Sequence, residues 1–150
     1  MNILVSCATG INNSGDEAIL ECLIKNLELS KEDLKIFSFN ISKSKKLHKN
    51  LTFLPHSITS FFKTIKEIKK CDLFIMGGGG LIQDQTSLLN PLSWYFKLIL
   101  AILMNKKTYI YANSFGPINY KFNRFLTNKI LNKVDLLLTS IIFKNFSNRV

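Results

Sequence analysis

The strongest constraint on this chain is a recurring pattern of short, largely apolar runs, each closed by glycine, proline or a polar loop. Residues 3–8 end at Thr9-Gly10, 34–39 at a lysine-rich connection, 72–76 at Gly77-Gly78-Gly79-Gly80, and 108–112 shortly before Gly116-Pro117. A shorter run at 51–54 is closed by Pro55, and a last one spans 135–138. Runs of this length suit strands buried on both faces of a sheet.

Helical spacing fills the intervals. Ala18, Leu23, Ile24 and Leu27 form an apolar stripe within 17–29, where Glu21 precedes Lys25 by one helical turn. Ile58, Phe61, Phe62, Ile65 and Ile68 form a second stripe, with Lys63, Lys66, Glu67 and Lys70 opposite. Pro91 opens a third helix that runs to Met104, and Phe122, Phe125, Leu126 and Ile130 mark a fourth. Strands alternating with helices predict an α/β domain, a Rossmann-like parallel sheet with helices on both faces. Residues 40–50, including His48, read as a solvated connection, and 139–150 carry no clear pattern.

Composition narrows the class. A chain of 150 residues holds one domain, and 47% hydrophobic against 20% charged residues describes a globular protein, not a disordered one. Lys+Arg outnumber Asp+Glu by 20 to 10, yet Arg124 and Arg149 are the sole arginines. Sequence-specific nucleic-acid readers depend on arginine's planar fork, so no nucleic-acid partner is expected. A lysine excess suits attraction to small anions or to an acidic membrane surface. The most apolar window, 88–104, is broken by Asn90, Pro91, Ser93 and Lys97 and reads as a buried helix containing Trp94 and Tyr95. Cys7, Cys22 and Cys71 form no C-x-x-C pair and read as reduced, packed thiols of a cytoplasmic protein. No His, Cys or Asp spacing suggests a metal site, and none is expected.

Three segments that follow strands carry the candidate chemistry. The first is Gly10-Ile11-Asn12-Asn13-Ser14-Gly15-Asp16-Glu17. It is no Walker A loop, because Asp16-Glu17 stands where Lys-Ser/Thr would be needed. Asn13 and Gly15 are candidate contacts for a polar ligand; Asp16 either joins them or caps the helix, with Glu17 at the helix's positive end. The second is Gly77 to Gly80 followed by Leu81-Ile82-Gln83-Asp84-Gln85-Thr86-Ser87. Four glycines suggest backbone N–H groups lining a concave site, with Gly78 and Gly79 central. Gln83, Asp84, Thr86 and Ser87 offer the donors and acceptors a sugar needs, and Asp84 either orients a hydroxyl or braces the loop. The third is Tyr111-Ala112-Asn113-Ser114-Phe115-Gly116-Pro117-Ile118. His56, beside Pro55, lies near a strand end, and Arg124 belongs to a helix that follows Gly116-Pro117.

Together these three segments resemble the motifs of the polysaccharide pyruvyl transferase family, over about residues 1–138. The resemblance implies the amino-terminal lobe of a glycosyltransferase-B-like fold. It also implies transfer of pyruvate from phosphoenolpyruvate, a donor substrate and not a cofactor, to a sugar as a ketal. The implied acceptor is a glycan or lipid-linked sugar of a cell-surface polysaccharide precursor, which would bring the protein to the inner membrane face. Substrate contacts then fall to Asn13, Gly15, Asp16, Gly78, Gly79, Gln83, Asp84, Thr86 and Ser87, while the main acid or base is expected in a second lobe and Asp84 is the candidate within this one.

The chain departs from the pattern where Ser114 replaces a glycine of the third element and where Thr139-Ser140 stands in place of an Arg-Asp/Glu pair. Residues 139–150 are therefore expected to be an atypical tail of the kind a truncation or frameshift leaves, with the second lobe absent or carried by a partner chain. A nucleotide-sugar glycosyltransferase of similar architecture and a non-catalytic fragment are the alternative readings.

Overall fold

The computed structural model describes residues 1–26, 32–85 and 87–139. Its centre is β1 (Ile3–Thr9), whose seven residues are all buried. The chain continues through α1 (Ser14–Asn26), β2 (Leu34–Ser38), α2 (Ile41–Leu47) and β3 (Thr52–Pro55). A single 3₁₀ turn leads into α3 (Phe61–Lys70), followed by β4 (Leu73–Ile82), α4 (Asn90–Leu103), β5 (Lys107–Phe115), α5 (Lys121–Leu131) and β6 (Leu136–Thr139). The six strands form one sheet in the order β3-β2-β1-β4-β5-β6, with every neighbouring pair parallel.

Right-handed crossovers place α1 and α2 on one face of such a sheet and α3, α4 and α5 on the other. The core divides accordingly. Leu20 and Leu23 of α1 pack with Ile3, Val5, Cys7, Ile36 and Ile75. Ile68, Trp94, Tyr95, Leu98 and Ile130 pack with Leu4, Phe37, Phe74, Met76 and Ile110. The parallel α/β architecture expected from the alternation of runs is thus present, and Trp94 and Tyr95 are core residues as expected.

Four local readings are corrected. The glycine run is not a loop: β4 continues through Gly77–Gly80 to Ile82, held by pairs with Tyr111, Asn113 and Phe115 of β5. Residues 41–47 form a helix, because the Asn40 side chain caps it by accepting the Lys43 N–H and Ser44 is buried against the sheet. The buried face of α1 is Asp16, Leu20 and Leu23, while Ala18 and Cys22 are exposed. On α5 the buried side chains are Asn123, Thr127 and Ile130, and Phe122 and Phe125 point outward, because the helix docks through polar contacts including a 2.6 Å bond between the Thr127 and Tyr95 hydroxyls.

Candidate functional site at the carboxyl edge of the sheet

In an open parallel sheet, ligands bind beyond the carboxyl ends of the strands where the strand order reverses. Here that point lies between β1 and β4. The loop after β1 is built around Asn13. Its Oδ1 accepts the Gly15 N–H at 3.1 Å, its carbonyl accepts the Glu17 N–H at 3.1 Å, and its Nδ2 donates to Asp16 Oδ2 at 2.7 Å. Asn13, not Asp16, therefore caps α1, as expected of an asparagine immediately before a helix. Asn13 and Gly15 are exposed, whereas Asp16 is buried. Burial raises the Asp16 pKa, the Asn13 bond opposes that, and the neighbouring Glu17 charge adds to it; the net direction is upward.

Glu17 does not face the helix end either. Its carboxylate accepts the Gly10 N–H at 2.8 Å, the Thr9 hydroxyl at 2.8 Å, and pairs with His48 Nε2 at 2.7 Å. Burial would push this carboxyl up, but the Gly10, His48 and Thr9 bonds outweigh it and hold it below the ordinary range. His48 is buried and belongs to this brace, contrary to its reading as part of a solvated connection. A string of lysines around it conceals the two side chains that turn inward here, Ser44 within α2 and His48 just after it.

The glycines of β4 let α1 approach the sheet. A Cβ at Gly77 would touch Leu23 at 3.6 Å, and one at Gly78 would meet Ile19 at 3.0 Å. One at Gly79 would coincide with the Asp16 carboxylate. Gly78 and Gly79 also have positive φ, +73° and +84°, which L side chains rarely adopt. The α1-facing sides of both glycines are thus filled by Ile19 and Asp16. Gly80 is the exposed member of the run, with Ser114 Oγ 3.5 Å from its Cβ direction.

Beyond β4 the polar tail folds onto the loop after β5. Asp84, buried, accepts the Asn119 N–H at 2.7 Å, the Tyr120 N–H at 3.0 Å and Asn123 Nδ2 at 3.1 Å. Burial raises its pKa, but these three donors prevail and hold it below the ordinary value. Gln83 lies against Gly116 and caps its own turn, Oε1 accepting the Gln85 N–H at 3.0 Å. Ser87 Oγ accepts the Leu89 N–H at 3.2 Å at the start of α4. Arg124 holds the same loop by donating from Nε to the Ile118 carbonyl at 2.7 Å. Thr86 lies outside the described residues.

The structure therefore gathers the predicted residues into two groups joined by β4. Asn13, Gly15, Asp16, Gly78 and Gly79 meet at the start of α1, and Gln83 and Asp84 join residues 116–124, while Ser87 stays at the start of α4. Asn113, which enters the sequence reading only as part of the third segment, is fully buried beside Gly79, its Nδ2 donating to the Met76 carbonyl at 3.1 Å while among the described residues its Oδ1 has no partner. Among the described residues, no cluster of three His, Cys, Asp or Glu side chains is arranged to hold a metal, and no helix is long and apolar enough to cross a membrane.

This is a doubly wound parallel α/β domain whose capped, acidic helix start meets a glycine-rich strand at the switch point, the place where open sheets of this class bind ligands. The sequence matches the model of one family, polysaccharide pyruvyl transferase, over residues 13–139, and the chain belongs to that family. It is a family of transferases. A search of the curated proteins returned no match.

Proposed function

We propose that this domain works in the transfer of pyruvate from phosphoenolpyruvate to two hydroxyls of a sugar in a cell-surface polysaccharide precursor. The observation that carries this reading is the meeting of the Asn13–Asp16 loop with Gly79 at the switch point, within the segment that matches the family.

The chemistry balances as follows. C3 of the enol phosphate gains a proton, leaving oxocarbenium character at C2. One sugar oxygen bonds to C2 and its proton departs. The C2–O bond to phosphate then breaks, and the second sugar oxygen closes the ketal and gives up its proton. Of the two protons released, one balances that taken by C3 and the other leaves with phosphate. A carboxyl with a raised pKa suits such proton transfers. Asp16 fits that role better than Asp84, whose carboxylate is held ionised by three N–H donors. Asn13, Gly15, Gln83, Thr86 and Ser87 are the proposed hydroxyl contacts, with Gly78 and Gly79 letting α1 bring Asp16 up to the strand. Asp84 keeps the two loops in register. The cations needed by the donor carboxylate and phosphate are assigned to a second lobe, and a lipid-linked acceptor would set the reaction at the inner membrane face.

The test is phosphate release from phosphoenolpyruvate with nucleotide-linked and lipid-linked sugars, by this chain alone and with a candidate second-lobe chain. The expected product is a sugar heavier by one pyruvic acid less one water. Consumption of a nucleotide sugar with phosphoenolpyruvate left intact would replace this reading by glycosyl transfer.

A further inference from the structure

On the sheet face opposite Asn13 and Asp16, α3 and α4 diverge over the ends of β2 and β3 and leave a cavity of about 800 Å³. That lies within the range of pockets for drug-sized ligands, about 300–1,000 Å³. Its wall is aromatic and aliphatic: Phe39, Phe61, Phe96, Leu89 and Leu92. Phe39, Phe61, Phe96 and Leu89 are exposed, so the mouth of the cavity is apolar too.

One charge stands in this wall. Lys97 is only 6% exposed, with Nζ 3.1 Å from His56 Nε2 and 5.3 Å from the centre of the Phe37 ring. Among the described residues no carboxylate lies within ion-pair distance of it. His56 stacks on Phe39 at 4.1 Å and meets Trp94 edge-on at 4.8 Å. When Lys97 is charged, Nε2 accepts its proton and Nδ1 must carry the ring proton, yet Nδ1 is buried without a partner. Among the described residues the buried ammonium thus has a neutral acceptor but no counter-charge, and the buried N–H has no acceptor, which is costly unless something supplies negative charge.

We infer that this cavity is a binding site for a small anion with an apolar body, its carboxylate or phosphate meeting Lys97 and His56 and its hydrocarbon part lying against Phe39, Phe61 and Phe96. The aromatic wall supplies contact area and the lysine supplies orientation, the division of labour found in ligand pockets generally. The cavity shares no lining residue with the Asn13–Asp16 loop or with Gln83, Asp84 and Ser87, so its ligand can be tested apart from pyruvyl transfer.

Trp94 is the chain's single tryptophan, so its fluorescence reports on His56 and Lys97 directly. The whole chain is titrated with octanoate, with octylammonium as the same body bearing the opposite charge, and with acetate as the head without the body. The expected result is a saturable Trp94 response to octanoate alone. Lys97→Met, which keeps the apolar length, should weaken octanoate at least about tenfold while circular dichroism stays native. Leu89→Asp places a carboxylate at the exposed mouth, in a position before α4 that favours such a residue, and should also weaken it. Equal binding of octanoate and octylammonium, undiminished binding by either variant, or no saturable binding would overturn the inference. If Lys97→Met does not fold, Leu89→Asp decides.

Discussion

The carboxylate of Asp16 occupies the space that a side chain at position 79 would require. Helix α1 and strand β4 are therefore matched at one point, and the match demands glycine twice over, for space and for a φ of +84°. Gly79→Ala should destabilise the domain by about 1–3 kcal/mol in urea unfolding. Gly80→Ala, with no atom nearer than 3.5 Å and no positive φ, should be close to neutral in the same assay. Adding Asp16→Ala to Gly79→Ala should recover part of the loss, the remainder being backbone strain.

Asp84 is the knot between the tail of β4 and the start of α5. Replacing it with alanine leaves the Asn119 and Tyr120 backbone N–H groups without their acceptor and Asn123 Nδ2 with the Leu88 carbonyl alone. A loss of about 1–3 kcal/mol is expected, read as a lowered denaturation midpoint. Because its folded pKa is depressed, the Asp84 contribution is present above the unfolded carboxylate pKa and disappears as pH falls through the folded value. Asp84→Ala should accordingly flatten the acid end of a stability–pH curve, and unchanged curvature would remove Asp84 as its source.

The Lys97–His56 pair gives the empty protein a distinct pH signature. Burial first, and the Lys97 charge second, pull His56 down to about 3. The unfolded ring, near 6.5, binds a proton that the folded ring refuses, so stability should fall as pH drops from about 6.5 toward 3. Lys97 is pulled down by burial to about 8, so stability should rise as pH climbs from 8 toward the unfolded lysine value of about 10.4. Lys97→Met should abolish the alkaline rise and raise neutral-pH stability on the order of 1–3 kcal/mol, measured by thermal unfolding at several pH values.

Under the proposed transfer reaction, Asp16→Asn preserves the Asn13 contact geometry but removes the titrating group. Turnover should fall by about 10²–10⁴ with KM changed little. A rise in KM with turnover intact would make Asp16 a binding residue instead.

Strands were legible in the sequence where burial on both faces wrote itself as an apolar run, as in β1 and β2. The β4 glycines were misplaced because their cause is tertiary. Nothing near Gly78 states that Ile19 will press against it. The roles of His48 and Lys97 were hidden for complementary reasons: the first is an inward side chain among solvated lysines, the second the lone cation in an apolar helix. The Asn13 cap was readable in principle, as an asparagine just before Ser14-Gly15-Asp16-Glu17, but two acidic residues drew the assignment one turn too far along.

The strand order also bears on how the domain assembles. Ile3 to Ser6 pair on one side with Leu34 to Phe37 and on the other with Leu73 to Met76. A strand destined for the middle of the sheet thus keeps one naked edge until β3, the turn after it and α3 have all formed. Sheets closed by such distant partners fold slowly and expose sticky edges meanwhile. The arrangement that sets the ligand crevice between β1 and β4 therefore makes the same seam, where Ile3 meets Leu73, the sheet joint of greatest sequence separation and the one whose closure costs the chain most entropy.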